Sequence, residues 1–329
     1  MELAGNYEIR GCRIIFPDRI QEGGRVKVAE GRIAYAGPES DDQTGPDTGP
    51  RIQVSGWYLA PGLIDLQLNG AYGFDFTEAP GTILDVARRL PEYGVTAFLP
   101  TFITSPLEEY EGKLSAVVEA QGKQSQAGSP GSRVLGAHVE GPFLSPESKG
   151  AHRPDLFCDP TPERLAQLIP LEAVRLLTLA PEREGGLEAV RWLVARDIVV
   201  SVGHSAADAA QAQAALEAGV GYATHLYNAM PPLHHRRPGL MGVLLTTDDV
   251  PVGLIADGIH SDPLMVRLAY RLKGAHGLTL VTDAMAAMGM PDGDYNIGDQ
   301  YVQVRDGTAR LRDGTLAGSV LTLDQAVRN

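Results

Sequence analysis

From Leu59 onward the chain alternates short apolar runs with amphipathic stretches of helical period. The runs cover 63–69, 95–101, 134–140, 174–180, 198–204, 221–225, 252–257 and 278–283. Runs that are apolar on both faces and separated by helical segments predict parallel strands covered by helices. Eight such units predict an α/β fold, a (β/α)8 barrel. Gly94, Gly122 and Gly219 fall where three of the helical stretches should end, as helix C-caps favour. The weakest parts of the pattern are the short sixth strand and 238–250, which must supply its helix.

Residues 1–58 follow a different rhythm. Short β-type runs (YEIRGCRIIF, GRVKVAEGRIAYAG, RIQVSGWYLA) are parted by Gly, Pro and Asp, with a polar loop at 38–50. This predicts a small N-terminal β module, a β-sandwich over 1–58, followed by a barrel domain over 59–329.

Composition narrows the function classes. With 329 residues and 43% hydrophobic content, the chain has material for a large core rather than a disordered state. Lys and Arg number 28 against 41 Asp and Glu, a formal charge of −13. That balance argues against nucleic acid or an anionic membrane as partner. Two cysteines, Cys12 and Cys158, offer neither a disulfide framework nor a thiolate metal site. The first residues carry no signal-peptide pattern and no apolar run is long enough to span a bilayer, so a cytoplasmic protein is expected.

The polar residues at strand ends change the picture most. Barrel active sites form at the C-terminal rim. Asp65, Gln67 and Asn69 fall there on the first strand, Thr101 on the second and Glu140 on the third. His204, His225, Asp257 and Asp283 end strands five to eight. Singly, each reads as a capping residue at a strand–helix junction. Jointly, Glu140, His204 and His225 supply one carboxylate and two imidazoles, a ligand set for a catalytic divalent metal with an open position. Such a metal acidifies a water, and Asp283 is placed to take its proton. The three ligands lie too far apart in sequence for a local zinc motif. Zinc suits the set first, with iron or cobalt as alternatives.

Other motifs sort less sharply. His234, His235, Arg236 and Arg237 form a basic patch on an acidic chain, and Arg236 reads as a phosphate clamp. His138 shares a strand face with Glu140 and reads as a packed barrel histidine, while Met285, Met288 and Met290 read as core or lid residues. No Walker or dinucleotide-binding glycine pattern is present.

At these residues the chain resembles the N-acetylglucosamine-6-phosphate deacetylases of the amidohydrolase superfamily. The matching segments are PGLIDLQLNG (61–70), GAHVEGPFLSPESKGAHRP (136–154), VGHS (202–205), THLYNAMPPL (224–233), ADGIH (256–260), LVTDAMAAMG (280–289) and DGTLAGSVLTLDQAV (313–327). The resemblance implies a barrel of the metal-dependent hydrolase type. It implies Glu140, His204 and His225 as metal ligands and Asp283 as catalytic acid/base. It further implies Ala151 and His152 in a substrate loop, Asn228 and Ala229 on the sugar-phosphate side, and Arg236 on the phosphate. His260 would bind substrate and polarise the acetyl carbonyl, with Leu316, Ala317 and Gly318 in a closing loop.

Most amidohydrolases carry His-x-His at the end of strand one; here Gln67 and Asn69 stand instead, which implies a single metal. The implied reaction is deacetylation of N-acetyl-D-glucosamine 6-phosphate in amino-sugar metabolism. A homodimer is implied too, because phosphate residues in the family come partly from a neighbouring subunit. Alternative readings are the same chemistry on N-acetylgalactosamine 6-phosphate, or a non-catalytic amidohydrolase-like binding protein. Family members usually continue past LTLDQAV with strands that complete the N-terminal module, so the module is expected to lack those strands here.

Overall fold

The computed structural model describes residues 5–39, 49–126 and 131–329. Most of the polar loop expected at 38–50 therefore lies outside the described residues. The chain divides into two compact units, Met1–Gly62 and Leu63–Asn329.

In the first unit, strands Tyr7–Ile15, Ile20–Ala29 and Arg32–Pro38 make an antiparallel meander. Short strands Arg51–Gln53 and Tyr58–Leu59 pair in parallel with the first of these. Among the described residues the module expected as a sandwich is this single five-stranded sheet. Its apolar cluster is Cys12, Ile14, Val26 and Val28, with Phe16, Val54 and Leu59 against it. Glu8 is buried, and a buried carboxylate needs partners. Arg10 at 3.0 Å, Arg51 at 3.4 Å and Arg25 provide them.

The second unit is an eight-stranded parallel barrel. Its strands are Leu63–Leu68, Val95–Ile103, Ala137–Glu140, Val174–Leu179, Val199–Val202, Tyr222–Ala223, Val252–Leu254 and Leu278–Leu280. Each pairs in parallel with the next. The ring closes where Asp283 N–H donates to Gln67 O at 2.9 Å and Asn69 N–H to Ala284 O at 2.8 Å. The second strand shows why the runs read as parallel strands: every residue but Thr96 is buried.

Helices Ile83–Arg89, Tyr110–Ser125, Pro162–Leu165, Gly186–Val194, Ala209–Ala218, Gly239–Thr246, Pro263–Gly277 and Leu323–Arg328 follow the strands in turn. Ala209–Ala218 begins on a reciprocal cap between Asp208 and Gln211 and ends on Gly219 at φ 116°. Gly94 caps in the same left-handed conformation, but Gly122 does not. The helix runs through it to Ser125, because Gln121 and Gln124 hydrogen-bond Ser132 and Val134 and so anchor the extra turn.

One element was not expected. Strands Gly293–Ile297, Gln300–Arg305 and Thr308–Leu311 form an antiparallel sheet between the eighth strand and its helix. Ile297, Val302, Val304 and Ala309 bury against Ile103, Met285, Ala286, Ala287 and Ala317. The sheet thus packs on the C-terminal rim of the barrel and carries the chain 313–318 back over it. No helix among the described residues is long and apolar enough to cross a membrane.

Candidate active site

The ends of the first, third, fifth, sixth and eighth barrel strands deliver Asn69, Glu140, His204, His225 and Asp283 to one cavity of about 200 Å³, which His152 and His260 also line. Glu140 ends its strand; His204, His225 and Asp283 lie two or three residues past theirs. These last three hold positive φ values of 48°, 26° and 48°. Left-handed backbone at a residue with a side chain costs about 1–3 kcal/mol and persists where the surroundings impose it. Here it turns the chain sharply, so that each side chain faces inward.

The metal-type donors converge closely. Glu140 Oε1 lies 3.1 Å from His225 Nε2 and 3.3 Å from His204 Nε2, and the two imidazole nitrogens are 3.0 Å apart. A tetrahedral site with bonds near about 2.1 Å has edges of about 3.4 Å, so the triangle is of the right size. His204 Nδ1 donates to Ser148 O at 3.0 Å, which leaves its Nε2 lone pair for a cation. Burial would raise the Glu140 carboxyl, but its contacts with His204 and His225 hold it well below the usual range, so it is ionised. One anion and two imidazoles around a buried point fit a divalent cation.

Glu140, His152 and His204 also bring one donor each within 4.8 Å. His225 Nε2 lies nearer the carboxylate, at 3.1 Å from Glu140 Oε1, than His152 Nε2, at 3.9 Å from Glu140 Oε2. His152 Nδ1 faces Thr104, 2.8 Å from its Oγ1 and 3.4 Å from its N–H. Burial, with His204 adding to it, pushes His152 down to about 3.

Asp283 is pushed up to about 6, first by burial and then by the charge of Glu140. Its Oδ1 accepts from Asn69 Nδ2 at 2.7 Å and Gln67 Nε2 at 3.1 Å. His260 is oriented by Asp257, whose Oδ2 lies 2.7 Å from its Nδ1. Burial would raise Asp257 too, but the bond to His260 holds it below its ordinary value.

The remaining expected residues divide. Ala151, Asn228, Ala229, Leu316 and Gly318 line the cavity. The Ala151 carbonyl accepts from Gln300 of the inserted sheet. Ala317 turns the other way, into the apolar cluster with Val302 and Val304. Arg236 does not reach the cavity: it is exposed, lies 3.0 Å from His235 Nε2, and lines a separate groove with Arg237 and Pro238. Among the described residues no lysine or arginine lines the catalytic cavity. Ile103, Ile297 and Thr315 line it without having been singled out in the sequence. His138 is a packed barrel histidine, as expected, bonded to Thr101 and Thr178.

A parallel barrel with a Glu/His/His set and a rim aspartate defines a metal-dependent hydrolase of the amidohydrolase superfamily. No protein-family model matches the chain. The N-acetylglucosamine-6-phosphate deacetylase of Danio rerio is 41% identical over 97% of this chain and 80% of its own length. That of Bacillus subtilis is 39% identical over 99% and 83%. An N-acetylgalactosamine-6-phosphate deacetylase of Escherichia coli O157:H7 is 37% identical over 98% and 83%.

Among solved structures, the Pasteurella multocida N-acetylglucosamine-6-phosphate deacetylase superposes with a TM-score of 0.89 at 34% identity, over 98% of this chain and 83% of that one. A Mycobacterium smegmatis mutant deacetylase, solved with N-acetyl-D-glucosamine-6-phosphate, gives 0.87 at 31%, over 99% and 83%. The chain belongs to the N-acetylglucosamine-6-phosphate deacetylase family.

Proposed function

We propose that this chain hydrolyses the acetamide of N-acetyl-D-glucosamine 6-phosphate to D-glucosamine 6-phosphate and acetate. The observation that carries the reading is the convergence of Glu140, His204 and His225 within 3.3 Å, beside a rim aspartate. Those three residues would hold one divalent cation, with zinc the first expectation. When bound, such an ion supplies Lewis acidity that acidifies a water and polarises the acetyl carbonyl. Asp283 takes a proton from the attacking water and passes it to the leaving nitrogen. His260 Nε2 meets the carbonyl oxygen, and Asp257 at Nδ1 fixes the ring and supplies the countercharge when both nitrogens carry protons. Ala151, Asn228, Ala229, Leu316 and Gly318 position the sugar. Leu316 and Ile297 cover the site and exclude water.

A phosphate needs cationic or N–H partners, and the described lining of this cavity has no lysine or arginine. This supports a homodimer in which Arg236 of a second copy completes the phosphate site. The family and the acidic composition support a cytoplasmic enzyme. The test is acetate release from N-acetylglucosamine 6-phosphate and N-acetylgalactosamine 6-phosphate, with chelator and with metal added back. Expected are turnover of the gluco substrate, loss with chelator and recovery with metal. Asp283→Asn should keep its metal and lose about 10²–10⁴-fold in kcat; near-wild-type turnover in that variant overturns the assignment.

A further inference from the structure

Two amides at the end of the first barrel strand hold Asp283 by the same carboxylate oxygen. Gln67 and Asn69 are almost wholly buried, at 2% and 1% exposure, and their alternation sends both side chains to the same face of the strand. Gln67 Nε2 donates to Glu140 Oε1 at 2.9 Å and to Asp283 Oδ1 at 3.1 Å. Asn69 Nδ2 donates to the same Asp283 Oδ1 at 2.7 Å. Both lone pairs of Oδ1 are therefore engaged, whereas Oδ2 meets no donor among the described residues.

Charge sets the orientation of Asn69. Turning its carbonyl to the carboxylate would place two acceptors together, so the NH2 end must face Asp283. Asn69 Oδ1 then points away from the carboxylate and meets no hydrogen-bond partner among the described residues, and Asn69 lines the catalytic cavity.

We infer that Gln67 and Asn69 are positioning residues that select Oδ2 of Asp283 as the proton-transferring atom. The inference rests on the deacetylase reading above. In that reaction Oδ2 takes one proton as the water oxygen bonds to the acetyl carbon. It returns that proton to nitrogen as the C–N bond breaks, and acetic acid loses its remaining proton to solvent. With Oδ1 saturated from two directions the carboxylate cannot rotate about Cβ–Cγ, so Oδ2 stays aimed at both partners. Losing one amide frees that rotation, and misplacement on the scale of 1 Å costs about a hundredfold in rate.

The experiment compares wild type, Asn69→Ala, Asn69→Asp and Gln67→Met as metal-loaded enzymes. It measures kcat and KM on N-acetylglucosamine 6-phosphate, bound metal by elemental analysis, and melting temperature. Asn69→Ala should lose about a hundredfold in kcat with KM little changed. Its metal content and melting temperature should match wild type. Asn69→Asp keeps the shape but puts an acceptor where the donor was, and should fall at least as far. Gln67→Met keeps the length, removes the donor, and carries the test if position 69 does not tolerate change. Wild-type kcat in Asn69→Ala and Gln67→Met, or a loss that tracks missing metal or a lower melting temperature, overturns the inference. A wild type that releases no acetate overturns the deacetylase reading and this inference together.

Discussion

Gly150 lies against the edge of His204. A Cβ built there would sit 2.9 Å from His204 Cε1, and the backbone φ of +54° already disfavours a side chain. Gly150→Ala should therefore push the imidazole off its axis; a metal-competition titration should show affinity lowered about 10–100-fold, the scale of a disturbed ligand orientation. Asp65 poses a different residue-scale question. It accepts from Thr282 Oγ1 at 2.6 Å, Thr282 N–H at 3.2 Å and Gln67 N–H at 3.3 Å, yet burial outweighs these bonds and pushes it up to about 7. Its unfolded carboxyl titrates near about 4. Between those values the unfolded chain has lost a proton that the native chain keeps, so this group's contribution is full below about pH 4 and is lost as pH rises through about 7. Urea unfolding at pH 5 and pH 7.5 should show that decline, and Asp65→Asn should reduce it. Glu140, His204, His225 and Asp283 stood out in the sequence because chemistry restricts which residues can ligate a metal or move a proton, and the structure brings all four to one cavity. The pairing of Asn69 with Asp283 was not legible there, since 214 residues separate them and only barrel closure joins them.

Elements with long one-dimensional signals were read well and those with short ones were not. Apolar runs between helical segments placed all eight barrel strands, because a strand buried on both faces must be apolar throughout. Gly122 misled, since tertiary hydrogen bonds to Ser132 and Val134 outweigh a local stop signal of about 1 kcal/mol. The sheet 293–311 carried a usable cue. Asp306 and Gly307, both left-handed at φ 48° and 69°, form an Asp-Gly hairpin turn between alternating strands. Replacing Gly293–Leu311 by a short linker should leave the barrel folded and loaded with metal, because the ligands belong to barrel strands. It should raise KM for the sugar phosphate strongly, since Ile297, Thr315, Leu316 and Gly318 depend on that sheet. Metal analysis and steady-state kinetics on the excised variant check both halves.

For the whole molecule, the distance of Arg236 from the catalytic cavity sets the sharpest expectation. If a second copy supplies it, Arg236→Ala raises KM and leaves kcat nearly intact. Mixing that variant with Asp283→Asn should then restore part of the activity, because one mixed site carries both wild-type residues. Sedimentation of the wild type checks that a dimer forms, and mixtures assayed below the KM of Arg236→Ala that show no more activity than that variant alone rule out sharing in trans. The sequence by itself determined the fold class and singled out Glu140, His204, His225 and Asp283 at strand ends, since periodicity and donor chemistry are local properties of residue types. Only the tertiary structure decided how close each imidazole lies to Glu140, which oxygen of Asp283 meets no donor among the described residues, and that Arg236 lies outside its own chain's cavity. Those depend on hydrogen-bond geometry between strands far apart in sequence, which no local pattern records.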